Sequence, residues 1–180
     1  IKSSISYDFT TALGSSAVTP LELTSAYATF ASQGVRTEPI IIKSIVDGNG
    51  VVLESYQPEP KEAIDPTTAY LVTSLLKSVV DEGTGRGAKS LEKPLAGKTG
   101  TTNNYVDAWF VGYSPSVVTG VWVGYDNAAA SLGDKETGAR SALPIWNGVM
   151  AKALADKPSE DFIAPDDLVF TKIDPESGLL

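Results

Sequence analysis

Histidine and cysteine are both absent from the 180 residues of this chain. Without histidine, the chain cannot build a Ser-His-Asp triad, a Cys-His dyad or a His-ligated zinc site. Without cysteine it has no disulfide framework and no thiolate metal site, although this absence does not identify a cellular compartment. Acid–base chemistry therefore falls to Lys, Asp, Glu or Tyr, or to groups outside the chain. We expect no metal and no cofactor.

Long apolar runs and positive charge are also scarce. No run approaches the roughly 18 apolar residues that span a bilayer, and we expect no signal peptide within these residues. Lys and Arg total 14 against 22 Asp and Glu, and the net charge of −8 argues against nucleic acid as a partner. The hydrophobic content of 42% is ordinary for a globular protein, and the length suits one domain.

Three segments predict helices. In the first helix Thr19 is the N-cap, Pro20 is the first helical residue, and Glu22 completes a capping box with Thr19. Gly34 ends this helix. The second opens at Asp65-Pro66 and runs to about Val80, and the third runs from Ser141 to about Ala155. Apolar spacing predicts three inner faces: Leu21, Leu23, Ala26, Tyr27 and Phe30; Leu71, Leu75, Leu76, Val79 and Val80; and Leu143, Ile145, Trp146, Val149, Met150 and Leu154.

The remaining apolar segments predict strands. Residues 40–46 and 51–53 flank a tight Asp-Gly-Asn-Gly turn. The Lys98 segment, residues 107–113 and residues 117–125 follow one another with short connections, as in an antiparallel meander. Together these elements predict an α+β fold, an antiparallel sheet flanked by helices. The other expectations are loops at residues 1–16, 83–87 and 127–140, a linker at 157–167 and the start of a strand at 168–173.

The segment Lys98-Thr99-Gly100-Thr101 concentrates polar chemistry on one predicted strand. Side chains alternate along a strand, so Lys98 and Gly100 face one way while Thr99 and Thr101 face the other. Gly97 and Gly100 remove side chains where a backbone or a ligand approaches. Taken alone, the segment is equally compatible with an edge strand that carries a solvated lysine and β-favouring threonines.

The neighbours of this segment give it a family context, since Lys-Thr-Gly on a strand is one signature of the serine acyl-transferases that react with penicillin. The chain resembles the transpeptidase domain of class A penicillin-binding proteins, in family order from about residue 13 to 155. The segments that carry the resemblance are 18–23 (VTPLEL), 26–31 (AYATFA), 83–85 (GTG), 95–102 (LAGKTGTT), 107–113 (DAWFVGY), 121–127 (VWVGYDN) and 142–146 (ALPIW).

That resemblance implies a serine β-lactamase or D,D-transpeptidase-like fold that is incomplete in this chain. Residues 1–180 are then the C-terminal portion of a single transpeptidase domain, with a linker at 157–167 and a further strand or an extension at 168–180. The same resemblance places the domain on the outer, periplasmic face of the bacterial cytoplasmic membrane, anchored by a segment outside the chain.

The family also implies a mechanism and a set of site residues. A serine attacks the D-Ala-D-Ala carbonyl of a peptidoglycan stem peptide, and β-lactams acylate the same serine. By resemblance, Lys98 supplies positive charge, the Thr99 and Thr101 hydroxyls hold the substrate carboxylate, and the Thr101 N–H is an oxyanion donor. Gly100 keeps the strand edge bare, and Thr102 completes the predicted substrate-binding set.

The nucleophile is missing from the predicted set. Two Ser-x-x-Lys matches, Ser74 to Lys77 and Ser90 to Lys93, follow the first helix, which is the wrong order for the family. We interpret Ser74 and Ser90 as surface residues, and we find no Ser-x-Asn element at a family-compatible place. The chain alone is therefore predicted to be inactive, with an N-terminal portion of the same domain as the partner that carries both motifs.

Two other functions are compatible with the Lys-Thr-Gly segment. A β-lactamase shares Lys-Thr-Gly but needs a deacylation base. A non-catalytic β-lactam-sensing or cell-wall-binding domain would keep only the carboxylate site. The upstream sequence would separate these possibilities.

Several single residues allow two interpretations. We interpret Trp109, Trp122 and Trp146 as core rather than as a ligand platform. A helix-edge salt bridge is the preferred role for Arg140, and a substrate carboxylate its alternative. We interpret the polar residues Asn103, Asn104 and Tyr105 as a solvated hairpin loop, with the rim of the cleft as the alternative.

Overall fold

A computed structural model describes residues 1–127, 130–174 and 176–179. The helices and strands in chain order are α1 (Pro20–Ala31), β1 (Val35–Arg36), β2 (Ser44–Val46), β3 (Val52–Ser55), β4 (Lys61–Glu62), α2 (Pro66–Asp81), β5 (Ala96–Thr101), β6 (Asp107–Ser114), β7 (Val117–Gly124) and α3 (Leu143–Ala153). Short 3₁₀ helices span Phe9–Leu13, Arg86–Leu91 and Asn103–Tyr105, and a π-helical turn spans Gly138–Ala142.

The central sheet is the predicted antiparallel meander, in the order β5-β6-β7. Gly100 pairs with Trp109 and Trp109 pairs with Trp122, so the register across the three strands is continuous. Within the described residues no strand pairs with the outer side of β5, which is therefore an edge strand. Two small antiparallel pairs, β2-β3 and β1-β4, lie outside this sheet.

Helices cover both faces of the sheet, which confirms the α+β class. Phe110 and Tyr113 are both fully buried and, three positions apart on β6, point to opposite faces. Phe110 packs edge-to-face against Trp146 of α3 at 4.9 Å between ring centroids. On the other face the Tyr113 hydroxyl lies 2.9 Å from the hydroxyl of Thr73 in α2, and its ring contacts Tyr27 of α1.

The helix boundaries follow local signals that the sequence contains. Thr19 and Glu22 form the predicted capping box, in which each side chain accepts a hydrogen bond from the other residue's backbone N–H. Gly34, at φ +93°, accommodates the chain reversal after α1, and its N–H bonds the Thr29 carbonyl at 2.8 Å. The side chain of Asp65 caps α2 by accepting from the N–H groups of Thr67 and Thr68.

The predicted inner faces of the helices were partly wrong. Leu21, Leu71, Leu75, Ile145 and Val149 are all exposed, by 45% to 70%. A three-stranded sheet is narrow and covers only part of the apolar face of each helix. The apolar side chains at the margins of that face therefore stay exposed. The buried residues of α2 are Ala69 and Thr73, which were not predicted, and Val80, which was. Those of α3, Leu143, Trp146 and Met150, were all predicted.

Other local predictions also need correction. Residues 1–16 contain a 3₁₀ helix capped by Asp8, and residues 86–91 form another where a plain loop was expected. In the predicted strand at 40–46 only Ser44–Val46 forms a strand, because its partner β3 has only four residues. The predicted third helix begins two residues late, after the π-helical turn.

The C-terminal segment does not form the strand expected at 168–173. It runs along α2 instead: the Thr67 hydroxyl donates to the Asp167 carboxylate at 2.8 Å, and Phe170 packs edge-to-face on Tyr70. The predictions for 127–140 and 168–180 also include residues 128, 129, 175 and 180, which lie outside the described residues.

Candidate active-site strand

The edge strand β5 carries the four predicted central residues of the site. Lys98 and Thr101 are exposed, and Thr99 and Gly100 are half-buried. Lys98 pairs with Val111 and Thr99 with Phe110, so the two side chains extend to opposite faces, as the alternation predicts. Because the outer edge of β5 lacks a strand partner within the described residues, an extended peptide can pair with its backbone.

The Lys98 ammonium is the cation of this strand. It donates a hydrogen bond to the Thr99 carbonyl at 2.9 Å. Among the ion pairs formed within the described residues, none includes Lys98. Its positive charge is therefore available to an anion at the strand edge.

The end of β5 is held by the π-helical turn. The Gly138 N–H donates to the Thr101 hydroxyl oxygen at 3.1 Å. A Cβ on Gly138 would lie 2.1 Å from the Trp109 carbonyl oxygen and 2.6 Å from that of Gly100, so only glycine allows this approach. Since Thr101 accepts a bond from Gly138, its own hydroxyl proton remains to donate elsewhere.

A second hydroxyl contact holds the middle of β5. The Thr84 and Thr99 hydroxyl oxygens lie 2.7 Å apart, and either can be the donor. Thr84 belongs to the Gly83-Thr84-Gly85 turn directly after α2. This contact was not predicted from the sequence, because local sequence patterns do not predict contacts between residues 15 positions apart.

Thr102, the last predicted substrate-binding residue, closes the β5–β6 hairpin. Its hydroxyl donates to the Asp107 carboxylate at 3.2 Å and accepts from the Asp107 N–H at 2.8 Å. The other oxygen of Asp107 accepts from the Trp122 indole N–H at 2.8 Å. The hydroxyl of Thr102 thus already has two partners, unlike that of Thr101.

The three tryptophans occupy different environments. Trp146 is fully buried and donates to the Thr119 carbonyl at 2.9 Å, which confirms the core interpretation for this residue. Trp109 is half-buried and its ring lies 6.3 Å from that of Trp122. Trp122 is 37% exposed, so the core interpretation is wrong for Trp122.

Neither Ser-x-x-Lys match has the environment of a catalytic nucleophile. Ser74 is exposed in the middle of α2, and Ser90 is exposed in the 3₁₀ helix, where its hydroxyl donates to the Gly87 carbonyl at 2.9 Å. The surface interpretation of both serines is confirmed. The part of the chain that the structure describes contains no group of three or more acidic side chains suited to a metal ion.

Two loops border the end of β5. Arg140 forms the expected salt bridge, with its Nε 3.1 Å from the Glu136 carboxylate. Asn104 and Tyr105 have positive φ values of 61° and 54°, and the Tyr105 carbonyl accepts from the Leu132 N–H at 2.8 Å. Asn103 and Asn104 are exposed, which agrees with the solvated-loop interpretation, and the alternative role at the cleft rim stays a prediction.

The sequence of most of the chain, residues 2–151, matches the model of the penicillin binding protein transpeptidase domain. The chain belongs to the penicillin-binding protein transpeptidase family. It is 46% identical over 172 residues to penicillin-binding protein 1A of Aquifex aeolicus, covering 96% of the chain and 24% of that protein. The curated relatives that the chain matches are thus about four times its length.

Solved structures of the family agree with the fold. The crystal structure of penicillin-binding protein 1A from Haemophilus influenzae superposes with a TM-score of 0.92 at 30% identity, over 98% of this chain and 32% of that one. The Mycobacterium tuberculosis protein PonA1 in complex with penicillin V superposes with a TM-score of 0.74 at 30% identity, over 88% and 43%. The chain therefore has part of the fold of this transpeptidase domain.

None of the described helices, over residues 1–127, 130–174 and 176–179, combines the length and apolar composition needed to cross a membrane.

Proposed function

We propose that the chain supplies the Lys-Thr-Gly wall of a peptidoglycan D,D-transpeptidase domain, in the class A, bifunctional type of penicillin-binding protein. The observation that carries this proposal is the edge strand β5. Its Lys98 has no ion-pair partner within the described residues, and the hydroxyls of Thr99 and Thr101 are each held by a hydrogen bond. Such a strand suits a peptide that ends in a carboxylate. Family membership and the penicillin V complex of PonA1 support the same chemistry.

In the proposed reaction an upstream serine attacks the carbonyl between the last two residues of a D-Ala-D-Ala stem peptide. The C–N bond breaks, the terminal D-Ala leaves with a proton, and an acyl-serine ester remains. The amine of a neighbouring stem then attacks the ester, forms a new amide and releases the serine. Attack by water instead of the amine gives carboxypeptidase activity, and a β-lactam acylates the same serine.

Each residue from Lys98 to Thr102 has a proposed role in this reaction. Lys98 provides the positive field, and Thr99 and Thr101 donate to the substrate carboxylate through bonds worth about 1.5–3 kcal/mol each. The Thr101 N–H is one of two oxyanion donors, worth about 3–4 kcal/mol in the barrier. Gly100 leaves room for the peptide backbone. Thr102 acts chiefly by closing the hairpin, since its hydroxyl bonds Asp107.

The proposed partner is the N-terminal portion of the same domain, which carries Ser-x-x-Lys and Ser-x-Asn. The substrate is the peptidoglycan stem peptide, and β-lactams are the inhibitors. The proposed location is the periplasmic face of the cytoplasmic membrane, with the anchor in a segment outside this chain.

The test is covalent labelling with a fluorescent penicillin, applied to the full-length protein and to this chain alone. We expect a stable adduct on the full-length protein, mapped by mass spectrometry to a serine outside these 180 residues. Thr101→Val in the full-length protein should slow labelling by at least tenfold, since loss of a charge-assisted bond costs about 1.5–3 kcal/mol.

Three results would contradict the proposal. An adduct on the isolated chain would place a nucleophile within it. Rapid release of hydrolysed penicillin would indicate a β-lactamase. Binding of penicillin by the full-length protein without a covalent adduct would indicate a non-catalytic sensing domain.

A further inference from the structure

The Gly83-Thr84-Gly85 turn brings a third hydroxyl to the proposed carboxylate site. Thr84 lies outside β5, yet its hydroxyl oxygen is 2.7 Å from that of Thr99. This distance is typical of an O–H···O hydrogen bond. Thr84 is exposed, so the contact does not bury its side chain. The effect of the contact is instead to fix the rotamer of Thr99.

The turn that carries Thr84 is closely packed. The N–H of Gly83 bonds the Ser78 carbonyl at 3.1 Å, and that of Gly85 bonds the Val79 carbonyl at 2.9 Å. A Cβ on Gly83 would lie 2.9 Å from the Val79 Cα, and one on Gly85 would lie 3.1 Å from the Val79 oxygen. Both glycines therefore allow residues 83–85 to pack closely against the C-terminal end of α2. This packing fixes the position of Thr84 relative to β5.

The direction of the hydrogen bond determines what Thr99 can do. A hydroxyl has one proton to donate. If Thr99 donates it to a carboxylate, then the bond to Thr84 requires Thr84 to be the donor. A chain of hydroxyls oriented in this way polarises the terminal donor and strengthens its bond to the anion. Thr101 is arranged similarly, since its oxygen accepts from the Gly138 N–H.

We infer that Thr84 is a positioning residue for the carboxylate of the substrate or of a β-lactam, acting through Thr99. Its hydroxyl donates to Thr99, orients the Thr99 proton toward the outer edge of β5 and thereby selects ligands that carry a carboxylate. This inference rests on the proposed function and assigns a role in it to a residue outside the Lys-Thr-Gly strand.

The experiment measures the second-order rate constant of acylation in the full-length protein for two reagents. One is a penicillin with a free carboxylate, and the other is the methyl ester of the same penicillin. We expect Thr84→Val to slow the free acid about two- to tenfold, the cost of one neutral hydrogen bond, and to leave the ester rate unchanged. Thr84→Ser, which keeps the hydroxyl, should restore the rate for the free acid.

Two further variants complete the design. Thr84→Val combined with Thr99→Val should be no slower than Thr99→Val alone, because Thr84 acts through Thr99. Thr68→Val is the matched control, an exposed threonine in the first turn of α2 for which we expect wild-type rates.

The outcomes separate this inference from the proposed function. Wild-type rates for Thr84→Val with the free acid, or equal slowing of both reagents, would overturn the role of Thr84 while acylation itself is retained. If the wild-type full-length protein forms no adduct with the free acid, the proposed function is wrong, and so is the role of Thr84 that depends on it.

Discussion

At the scale of single residues, the proposed carboxylate site depends on partners outside the strand that forms it. The hydroxyls of Thr99 and Thr101 are each held by a residue from another element, Thr84 from the turn after α2 and Gly138 from the π-helical turn. The contacting groups are a single hydroxyl and a backbone N–H, and no short sequence motif predicts contacts made by such groups.

Gly138 provides the sharpest steric test of this arrangement. The Cβ of Gly138→Ala would lie 2.1 Å and 2.6 Å from two backbone oxygens of the sheet. Relief requires a backbone shift, so we expect a loss of about 1–3 kcal/mol or more in the free energy of unfolding. Chemical denaturation of the full-length protein measures this loss, and penicillin acylation should slow as the Thr101 contact is disturbed.

Gly148 offers a matched control in α3. A Cβ at this position meets nothing within 4 Å, and alanine is the better helix former by about 1 kcal/mol. Gly148→Ala should therefore stabilise the protein or leave it unchanged. Equal stability changes for the two substitutions would contradict the close-approach argument.

At the scale of elements, the capping box of α1 also ties down the start of the chain. The Glu22 carboxylate accepts bonds from the Lys2 N–H at 2.6 Å and from the N–H of Ser3 at 3.0 Å, besides its bond from Thr19. The Ser3 hydroxyl and the Lys2 N–H together lower the pKa of Glu22 to about 2 from the ordinary 4.5. The carboxylate thus stays ionised well into the acid range.

This lowered pKa predicts how the N-terminal segment responds to acid. The folded pKa lies below the unfolded one, so the stabilisation is complete above about 4.5 and disappears as the pH falls to about 2. Hydrogen exchange in the full-length protein should show protection of the Lys2 and Ser3 amides that decreases over that window. Glu22→Gln should reduce the protection at pH 7; protection that is independent of pH and of this substitution would contradict the assignment.

At the scale of the whole molecule, the C-terminal segment folds back onto the helical face that covers Tyr113. Phe162 packs edge-to-face on the Tyr113 ring at 5.6 Å, and the Lys77 ammonium lies 5.6 Å from the Phe162 ring. Lys77 also pairs with Asp161 at 3.1 Å. Burial raises the pKa of Tyr113 to about 12, so its hydroxyl stays protonated and bonded to Thr73 at neutral pH.

Phe162 is therefore expected to contribute to the stability of the whole domain. Phe162→Ala removes a half-buried ring, and we expect a loss of roughly 1–3 kcal/mol, below the range for a fully buried phenylalanine. Val169→Ala is the control, since Val169 is 90% exposed and surface truncations usually change stability by about 0.5 kcal/mol or less. Equal unfolding midpoints for the two variants would show that the segment does not contribute to the folded core.

Features that depend on a few neighbouring residues could be predicted from the amino-acid sequence. The capping box at Thr19 and Glu22, the hairpin turn at Asp47–Gly50 and the alternation along β5 all follow from local hydrogen bonds and backbone geometry. Family membership was also predictable, because the ordered segments around Lys98 lie along the chain itself.

Contacts between segments that are distant in sequence depend on the folded path of the chain. Thr84 and Thr99 are 15 positions apart, and Gly138 and Thr101 are 37 apart. Local propensity fixes the conformation of each segment but not the path that brings two segments together. The same reason explains why Leu71 and Leu75 are exposed: a periodic stripe shows that a helix has an apolar face, whereas the width of the covering sheet determines how much of it is buried.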